Sequence, residues 1–434
     1  MSDLAAQPAL VNRVEVSRHL PELSFCDPQS PRVYARAISL VTLHGQPLGI
    51  IELHQSGGTF SPEEYAQAIM AQLAPALSEH LLADGLPPQV LGPEGLSFSC
   101  ATGCQAAREQ LLSQAPLVTI VVSTRDHPQG LASTLSSLCA LDYPAYEVVV
   151  VDNAPTTDAT AEVSRSYSEA ANVRYIREDR PGLSHARNRG VAAANGDIIA
   201  FTDDDAMPDS QWLTGLVQGF AAGKNVGCVT GLVVPRRLDT PAQLCWEQFA
   251  QFGKGFSRRL FDPEVYSASR QAYLFSIGSI GIGANFAMKT STLRQVGPFD
   301  PSLGAGTFAR AADDMDMFMR TLDHGFQISY EPRAIVDHVH EPAYAQMKRK
   351  AFSYGVGLGA FMTKACIKPP CHMGEVLWRV PAFITQRAFI NNHNAADGPP
   401  RPRYPRDLKW RERMGILYGP FAYMWSHLSQ ARSR

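Results

Sequence analysis

Ile198-Ile199-Ala200-Phe201-Thr202-Asp203-Asp204-Asp205-Ala206-Met207-Pro208-Asp209 is the stretch on which the reading of this chain turns. Its apolar opening reads as a buried strand, and Pro208 stops that strand from continuing, so three adjacent carboxylates are held in a loop at a strand end. Adjacent carboxylates repel one another, and a bland loop has no reason to gather them. A hard divalent cation such as Mg²⁺ or Mn²⁺ relieves the repulsion, because it prefers oxygen ligands and shares them with substrate phosphates. The plain alternative is a solvated acidic turn leading into a helix near Ser210-Gln211-Trp212.

The segments around it decide between the two. Upstream, Leu117–Val122, Glu147–Asp152, Val173–Ile176 and Asp197–Thr202 read as strands, and residues 131–141, 157–170 and 184–194 as helices between them. Strands alternating with helices at this spacing indicate an α/β fold with a mostly parallel, doubly wound sheet. Such sheets bind ligands beyond the carboxyl ends of their strands, where Ser123-Thr124-Arg125-Asp126, Asp152-Asn153 and Asp203–Asp205 all fall.

Farther out, the 434 residues exceed one ordinary domain. Hydrophobic residues at 45% and charged ones at 18% describe globular material, and a net charge of −2 argues against nucleic acid as a partner. We expect an accessory module over 1–84, a linker over 85–115, the α/β domain over 116–345 and a helical extension over 346–434. In the module, Val33–Leu43 and Leu48–His54 read as a hairpin, and Ser61-Pro62-Glu63-Glu64 as a capping box that opens a helix to about Ala83. Eight cysteines do not suggest a disulfide scaffold. Cys139 and Cys228 read as buried thiols; Cys100 with Cys104, or Cys366 with Cys371, could pair or bind metal, although neither spacing is a zinc signature and no accompanying ligand set is visible. The N-terminus shows no signal-peptide pattern, and no run approaches the roughly eighteen apolar residues of a membrane span, so a cytoplasmic location is expected.

The strand-end residues, together with Gly182-Leu183-Ser184-His185-Ala186-Arg187-Asn188-Arg189-Gly190, Gly283-Ala284-Asn285, Gly297-Pro298-Phe299-Asp300 and Asp313-Asp314, resemble a family 2 glycosyltransferase of the GT-A fold, bacterial in type and extended by an N-terminal module. The likeness spans roughly residues 117–345. It implies a metal-dependent, inverting transfer of a sugar from a nucleotide-diphospho-sugar, a UDP-sugar by preference, to a hydroxyl acceptor, as in polysaccharide, glycolipid or secondary-metabolite synthesis. By this resemblance Asp203 and Asp205 are the ends of the D-x-D motif, with Asp205 on Mn²⁺ or Mg²⁺ and Asp203 on the ribose or the metal. Asp152 and Thr124 contact the nucleobase, Gly182, Arg187 and Asn188 the nucleotide, and Asn285 the donor sugar.

Asp314 is the resemblance's candidate for the base that takes the acceptor's proton. Asp313 stands where the family has Glu, which bears on acceptor placement. Asp316 faces elsewhere on its helix. In Val336-Asp337-His338-Val339-His340 both imidazoles fall on one face of a strand; the resemblance favours His338 as third metal ligand, with His340 as runner-up. The family has an aromatic residue at 337 and a basic one at 341, where this chain has Asp337 and Glu341. Residues 401–434 carry eight Lys/Arg against Asp407 and Glu412, with Trp410, Tyr418, Phe421, Tyr423 and Trp425 interleaved. That pattern suits either a helical cover on the domain or peripheral contact with an anionic membrane face and a lipid-linked acceptor. Two rivals are a sugar-phosphate nucleotidylyltransferase, disfavoured by Thr124-Arg125-Asp126-His127-Pro128 where a Gly-rich triphosphate loop belongs, and a catalytically silent nucleotide-sugar-binding scaffold.

Overall fold

The β-branched run Val118–Thr124 becomes the strand on which the main sheet is centred. The structure, a computed structural model, describes residues 7–27, 32–54, 58–98, 101–168, 172–250, 252–268, 277–367 and 405–432. The early strands are β1 (Leu10–Glu15), β2 (Leu23–Ser24), β3 (Arg36–Leu43), β4 (Gln46–His54) and β5 (Thr59–Phe60). The rest are β6 (Val118–Thr124), β7 (Tyr146–Asn153), β8 (Val173–Glu178), β9 (Ile198–Asp203), β10 (Ala206–Pro208), β11 (Val226–Pro235), β12 (Arg259–Phe261), β13 (Phe286–Lys289) and β14 (Gln327–His338).

β6 to β14 form one sheet in the order β10-β14-β11-β13-β9-β6-β7-β8, with β12 added beside β14. Strands β8, β7, β6 and β9 are mutually parallel, and β13 enters antiparallel beside β9. Alternate residues of β6 and β7 enter different cores: Ile120, Val122, Val148 and Val150 pack on one side of the sheet, Val121, Val149 and Val151 on the other. Burial on both faces is why these strands are continuously apolar, each Val contributing about 1.5–3 kcal/mol. The chain leaves β6 toward β7 on one side and returns as β9 on the other, so a crevice opens at the strand ends, where Thr124, Asp152 and Asp203 lie. This is the expected α/β architecture, a parallel-rich sheet between helical layers.

At the N-terminus β3 and β4 form the expected antiparallel hairpin, and β1 joins β3 in parallel. The capping box at Ser61 and Glu64 is present at the start of helix Pro62–Ala83. Residues 85–115, read as a linker, send Leu91 and Leu96 into the core of this module and carry the helix Gly103–Ser113. Arg13 of β1 reaches the main sheet, pairing with Asp209 just beyond the acidic loop and with Asp337 at 2.9 Å. Asp337 also faces Arg236 at 3.3 Å. Asp337 is thus matched to a cation of the N-terminal module.

Helices Tyr344–Ile367 and Arg406–Arg432 pack together at very short range. A methyl group added at Gly355 or Gly359 would lie 2.1 Å and 2.3 Å from backbone oxygens of Glu412 and Ile416, so only glycine admits this approach. The helix Arg406–Arg432 is buried along one side and exposed along the other. Leu408, Ala422 and Tyr423 are buried, while Trp410, Phe421 and Trp425 remain over 60% exposed. No helix among the described residues is long and apolar enough to cross a membrane. Cys228 is buried and Cys139 partly so, both free thiols, whereas Cys100 and Cys371 lie outside the described residues.

Candidate active site

β9 delivers Asp203, a turn carries Asp204 and Asp205, and β10 then pairs antiparallel with the end of β14, setting Ala206 opposite His338. The Val339 N–H donates to the Asp205 carbonyl at 3.1 Å, so the acidic loop and the histidine strand are tied by backbone. One ligand atom from each of Asp203, Asp205 and His338 lies within 4.8 Å of the others. His338 Nε2 is 3.4 Å from Asp205 Oδ1. Burial pushes the His338 pKa down, against the opposing pull of Asp205, which keeps the imidazole neutral and its lone pair available. Burial, together with Asp205, Asp204 and Asp313, pushes the Asp203 carboxyl up to about 7, despite Arg187. Two crowded carboxylates and a neutral imidazole suit a divalent cation of the Mn²⁺ or Mg²⁺ kind.

His340 is occupied differently. Its Nε2 lies 2.7 Å from Glu247 Oε2, and it stands outside the group formed by His338 and the two aspartates. Phe252 packs edge-on to both imidazoles, which do share one side as expected.

Arg187 is the keystone of the interior. It is 2% exposed, donates to Asp313 Oδ2 at 2.6 Å and to the Gly283 carbonyl at 2.9 Å, and faces Asp203 Oδ1 at 3.5 Å. Its guanidinium also lies over Phe286 and Phe299. The Gly283 N–H in turn donates to Asp314 Oδ2 at 2.7 Å. Asp203, Asp313 and Asp314 therefore meet in one network, although 111 residues separate the first from the last. Asp314 opens helix Asp313–Asp323, whose N-terminus favours negative charge. Burial and then neighbouring Asp313 raise the Asp314 pKa, against Arg187, making it a stronger base than an ordinary aspartate. The preceding Arg310 and Ala312 both hold left-handed backbone, φ 67° and 73°, a strain typical of functional sites. Asp316 does face elsewhere, held by Arg320 at 2.8 Å and Lys364 at 2.7 Å.

Asp152, at the end of β7, is fully buried. Its Oδ2 accepts from the Tyr175 hydroxyl at 3.0 Å and its Oδ1 has no partner. A buried acceptor left open at a strand end suits an N–H donor of a ligand.

Several other expected contacts are spent inside the protein. The Thr124 hydroxyl gives its proton to Asp204 Oδ2 at 2.6 Å, leaving only acceptor capacity toward a base. The Gly182 N–H donates to Asn153 Oδ1 at 2.8 Å, the Leu183 N–H to Ala305, and the Ser184 hydroxyl to Leu303. Gly182, with φ 133°, is the N-cap, and Ser184 sits within the helix. That helix start is thus engaged by Asn153 and the 303–307 loop, so the Gly182 N–H is not open to the nucleotide contact expected of it. The Asn188 amide forms a reciprocal pair with the Phe299 backbone, 2.9 Å and 2.8 Å, so it serves as a clamp and not as the expected nucleotide contact.

Asn285 requires the clearest correction. It is wholly buried, accepts from Trp212 Nε1 at 2.8 Å and donates to Leu232 and Ala334 at 2.9 Å and 2.7 Å. The buried amide joins β11, β14 and the helix Trp212–Gly219, so it is held by the protein interior and not turned toward a sugar.

Two residues went unread in the sequence. Tyr354 stacks on Trp246, with centroids 5.3 Å apart, and its hydroxyl sits in the field of Asp314, Asp205 and Asp203, which hold its pKa up in addition to burial. Lys254 stands near Asp314 and Glu247; burial lowers its pKa to about 8. Both come from segments with no local motif, so only the tertiary fold brings them here.

The Glycosyl transferase family 2 model matches residues 119–297. Among known proteins, the glycosyltransferase AglE of Haloferax volcanii is 26% identical over 302 residues, 64% of this chain and 91% of that protein. The pre-mycofactocin glycosyltransferase of Mycobacterium tuberculosis is 27% identical over 241 residues, 55% of this chain but only 46% of its own length. Among solved structures, the mannosyltransferase PcManGT of Pyrobaculum calidifontis, in complex with GDP-Man and Mn²⁺, matches 71% of this chain and 87% of its own at 20% identity and a TM-score of 0.47.

Proposed function

The chain belongs to glycosyl transferase family 2 and is a glycosyltransferase, and on that premise we propose a metal-dependent, inverting enzyme that moves a sugar from a nucleoside-diphosphate donor to a hydroxyl. The observation that carries this reading is the convergence of Asp203, Asp205 and His338 with the Arg187–Asp313–Asp314 network at one sheet edge. Asp203, Asp205 and His338 would hold Mn²⁺ or Mg²⁺, which supplies neutralising charge to the departing diphosphate.

Asp152 accepts an N–H of the base through its open Oδ1. The imide N–H of uracil fits this, and guanine offers donors as well, so a comparison of UDP with GDP decides between them. Asp314 receives the acceptor's proton as its oxygen bonds to the anomeric carbon, while the carbon–phosphate oxygen bond breaks and the diphosphate leaves with the electron pair. Arg187 fixes the carboxylate pair from behind, and the Gly283 N–H orients Asp314. Tyr354 on Trp246 offers a flat face of the kind sugar rings stack on, and Lys254 offers a cation to the acceptor side. The exposed aromatic and basic face of Arg406–Arg432 supports a lipid-linked acceptor.

The test is a thermal-shift screen of nucleoside diphosphates and their sugars with and without Mn²⁺. Stabilisation by one diphosphate that requires Mn²⁺ is expected. Metal-independent stabilisation, or none, would refute the site.

A further inference from the structure

A second set of ligating side chains lies in the N-terminal region, far along the chain from the transferase motifs. His44 comes from the turn between β3 and β4, His80 from the last turn of helix Pro62–Ala83, Asp84 from its C-cap, and Cys104 from the first turn of helix Gly103–Ser113. Their ligand atoms face one another along all six edges of a four-cornered figure. His44 Nδ1 is 3.4 Å from His80 Nε2, 3.4 Å from Asp84 Oδ2 and 3.2 Å from Cys104 Sγ. His80 Nε2 is 3.3 Å from Asp84 Oδ2 and 3.8 Å from Cys104 Sγ, and the thiol is 2.9 Å from Asp84 Oδ2. A tetrahedral ion bound at about 2.0–2.3 Å has ligand-to-ligand edges of roughly 3.3–3.8 Å. The histidine and aspartate side chains are at most 5% exposed.

We propose that His44, His80, Asp84 and Cys104 form a closed tetrahedral zinc site that staples the N-terminal module. The donor set excludes Mg²⁺ and Mn²⁺ as preferred occupants, since a thiolate and two imidazoles favour a softer ion. Four protein ligands leave no position for substrate, so the role is structural.

Local features with no other motive agree with this. His44 adopts φ 54° and Gly45 φ 75° in a two-residue hairpin turn, where Asn, Asp or Gly is the ordinary first residue. Glu15 takes the N–H groups of both, at 2.9 Å and 3.0 Å, and holds the turn in that shape. Asp84 places an anion at a helix C-terminus, the end that disfavours it. Its Oδ1 accepts the Cys104 N–H at 2.8 Å, which turns Oδ2 inward. Without a cation, two imidazole nitrogens, a carboxylate oxygen and a thiol contend for too few protons; one ion satisfies all four. Phe98 packs edge-on against His44, and Thr102 brings its hydroxyl to 3.3 Å from the sulfur.

The experiment measures zinc in the purified full chain after exhaustive dialysis. About one equivalent per chain is expected in the wild type and in Asp205→Ala, and almost none in His80→Ala or Cys104→Ala. Should those two variants fail to fold, the wild type answers alone: refilled with Co²⁺, it should show the visible bands of a tetrahedral ion and a near-ultraviolet thiolate-to-cobalt band. Only Cys104 among the two clusters can give that last band. A wild type without zinc and without the cobalt–thiolate band would overturn the proposal, as would zinc lost in Asp205→Ala but kept in Cys104→Ala.

Discussion

Two clusters in this molecule could each hold a divalent cation, and they differ in every respect that separates catalysis from scaffolding. Asp203, Asp205 and His338 supply two oxygens and one nitrogen at the mouth of a crevice, with Asp205 still partly open to solvent. His44, His80, Asp84 and Cys104 supply two nitrogens, an oxygen and a sulfur, and close on themselves. Three ligands leave coordination positions for a diphosphate, whereas four soft-leaning ones complete a tetrahedron. Charge differs too. The first cluster adjoins Asp204, Asp313 and Asp314 and depends on Arg187 for relief. The second shares its anions between two imidazoles. Repulsion held ready for a substrate marks one region, and internal satisfaction the other.

The largest effect expected is on the chemical step. Asp314→Asn should lower transfer by about 10²- to 10⁴-fold while leaving metal-dependent diphosphate binding near normal. Measured turnover close to wild type would remove Asp314 from the base role. Next comes Arg187→Met, which strands Asp313 as a buried anion and should cost about 3–5 kcal/mol in denaturant unfolding. A loss below about 1 kcal/mol would show that the network is not held by this ion pair.

Asp205→Ala should weaken Mn²⁺ binding by at least about tenfold in calorimetric titration, with His338→Ala doing the same and His340→Ala far less. Equal losses for the two histidines would erase the distinction drawn from Glu247.

The smallest effect is one of pH. Folded Asp203 titrates at about 7 against an ordinary 3.8, so the folded state binds its proton more tightly than the unfolded one. Its contribution to stability is full below the ordinary value and is lost as pH rises through about 7. Asp203→Asn cannot ionise, and should therefore raise the metal-free melting temperature by on the order of 2–4 °C at about pH 8, with the gain shrinking under acid conditions. Mn²⁺ affinity in the wild type should fall as pH drops through the same range, because the proton competes for the carboxylate. A flat profile would contradict the crowding argument. The zinc cluster, having no such excess of anions, should show no comparable gain on Asp84→Asn.

The sequence exposed the two clusters unequally. The acidic loop was legible because Asp203–Asp205 are contiguous and end an unmistakable buried strand, and Asp314 because it opens a helix. The zinc ligands are separated by 36, 4 and 20 residues and arrive from a turn, a helix end and a helix start. No spacing rule covers that, so Cys104 was visible as a candidate while its three partners were not. Asn285 illustrates the opposite error. The resemblance makes it a donor-sugar contact, but side-chain direction is settled by tertiary packing, and here Trp212, Leu232 and Ala334 claim it. Asn188 departs from its expected nucleotide contact for the same reason, since Phe299, which takes its bonds, lies more than a hundred residues away. Sheet order was readable as far as the alternation of strand and helix lasted. The antiparallel insertion of β13 between β9 and β11 carried no local sign.

Anomalous diffraction from crystals soaked with Mn²⁺ and the diphosphate identified by thermal shift, recorded at the manganese edge and below the zinc edge, would locate the ion. The expected result is a manganese peak bounded by Asp203, Asp205 and His338 and touching the diphosphate, with Asp314 across the crevice facing the open sugar side. A manganese peak elsewhere, or a diphosphate bound with no ion against those residues, would contradict it.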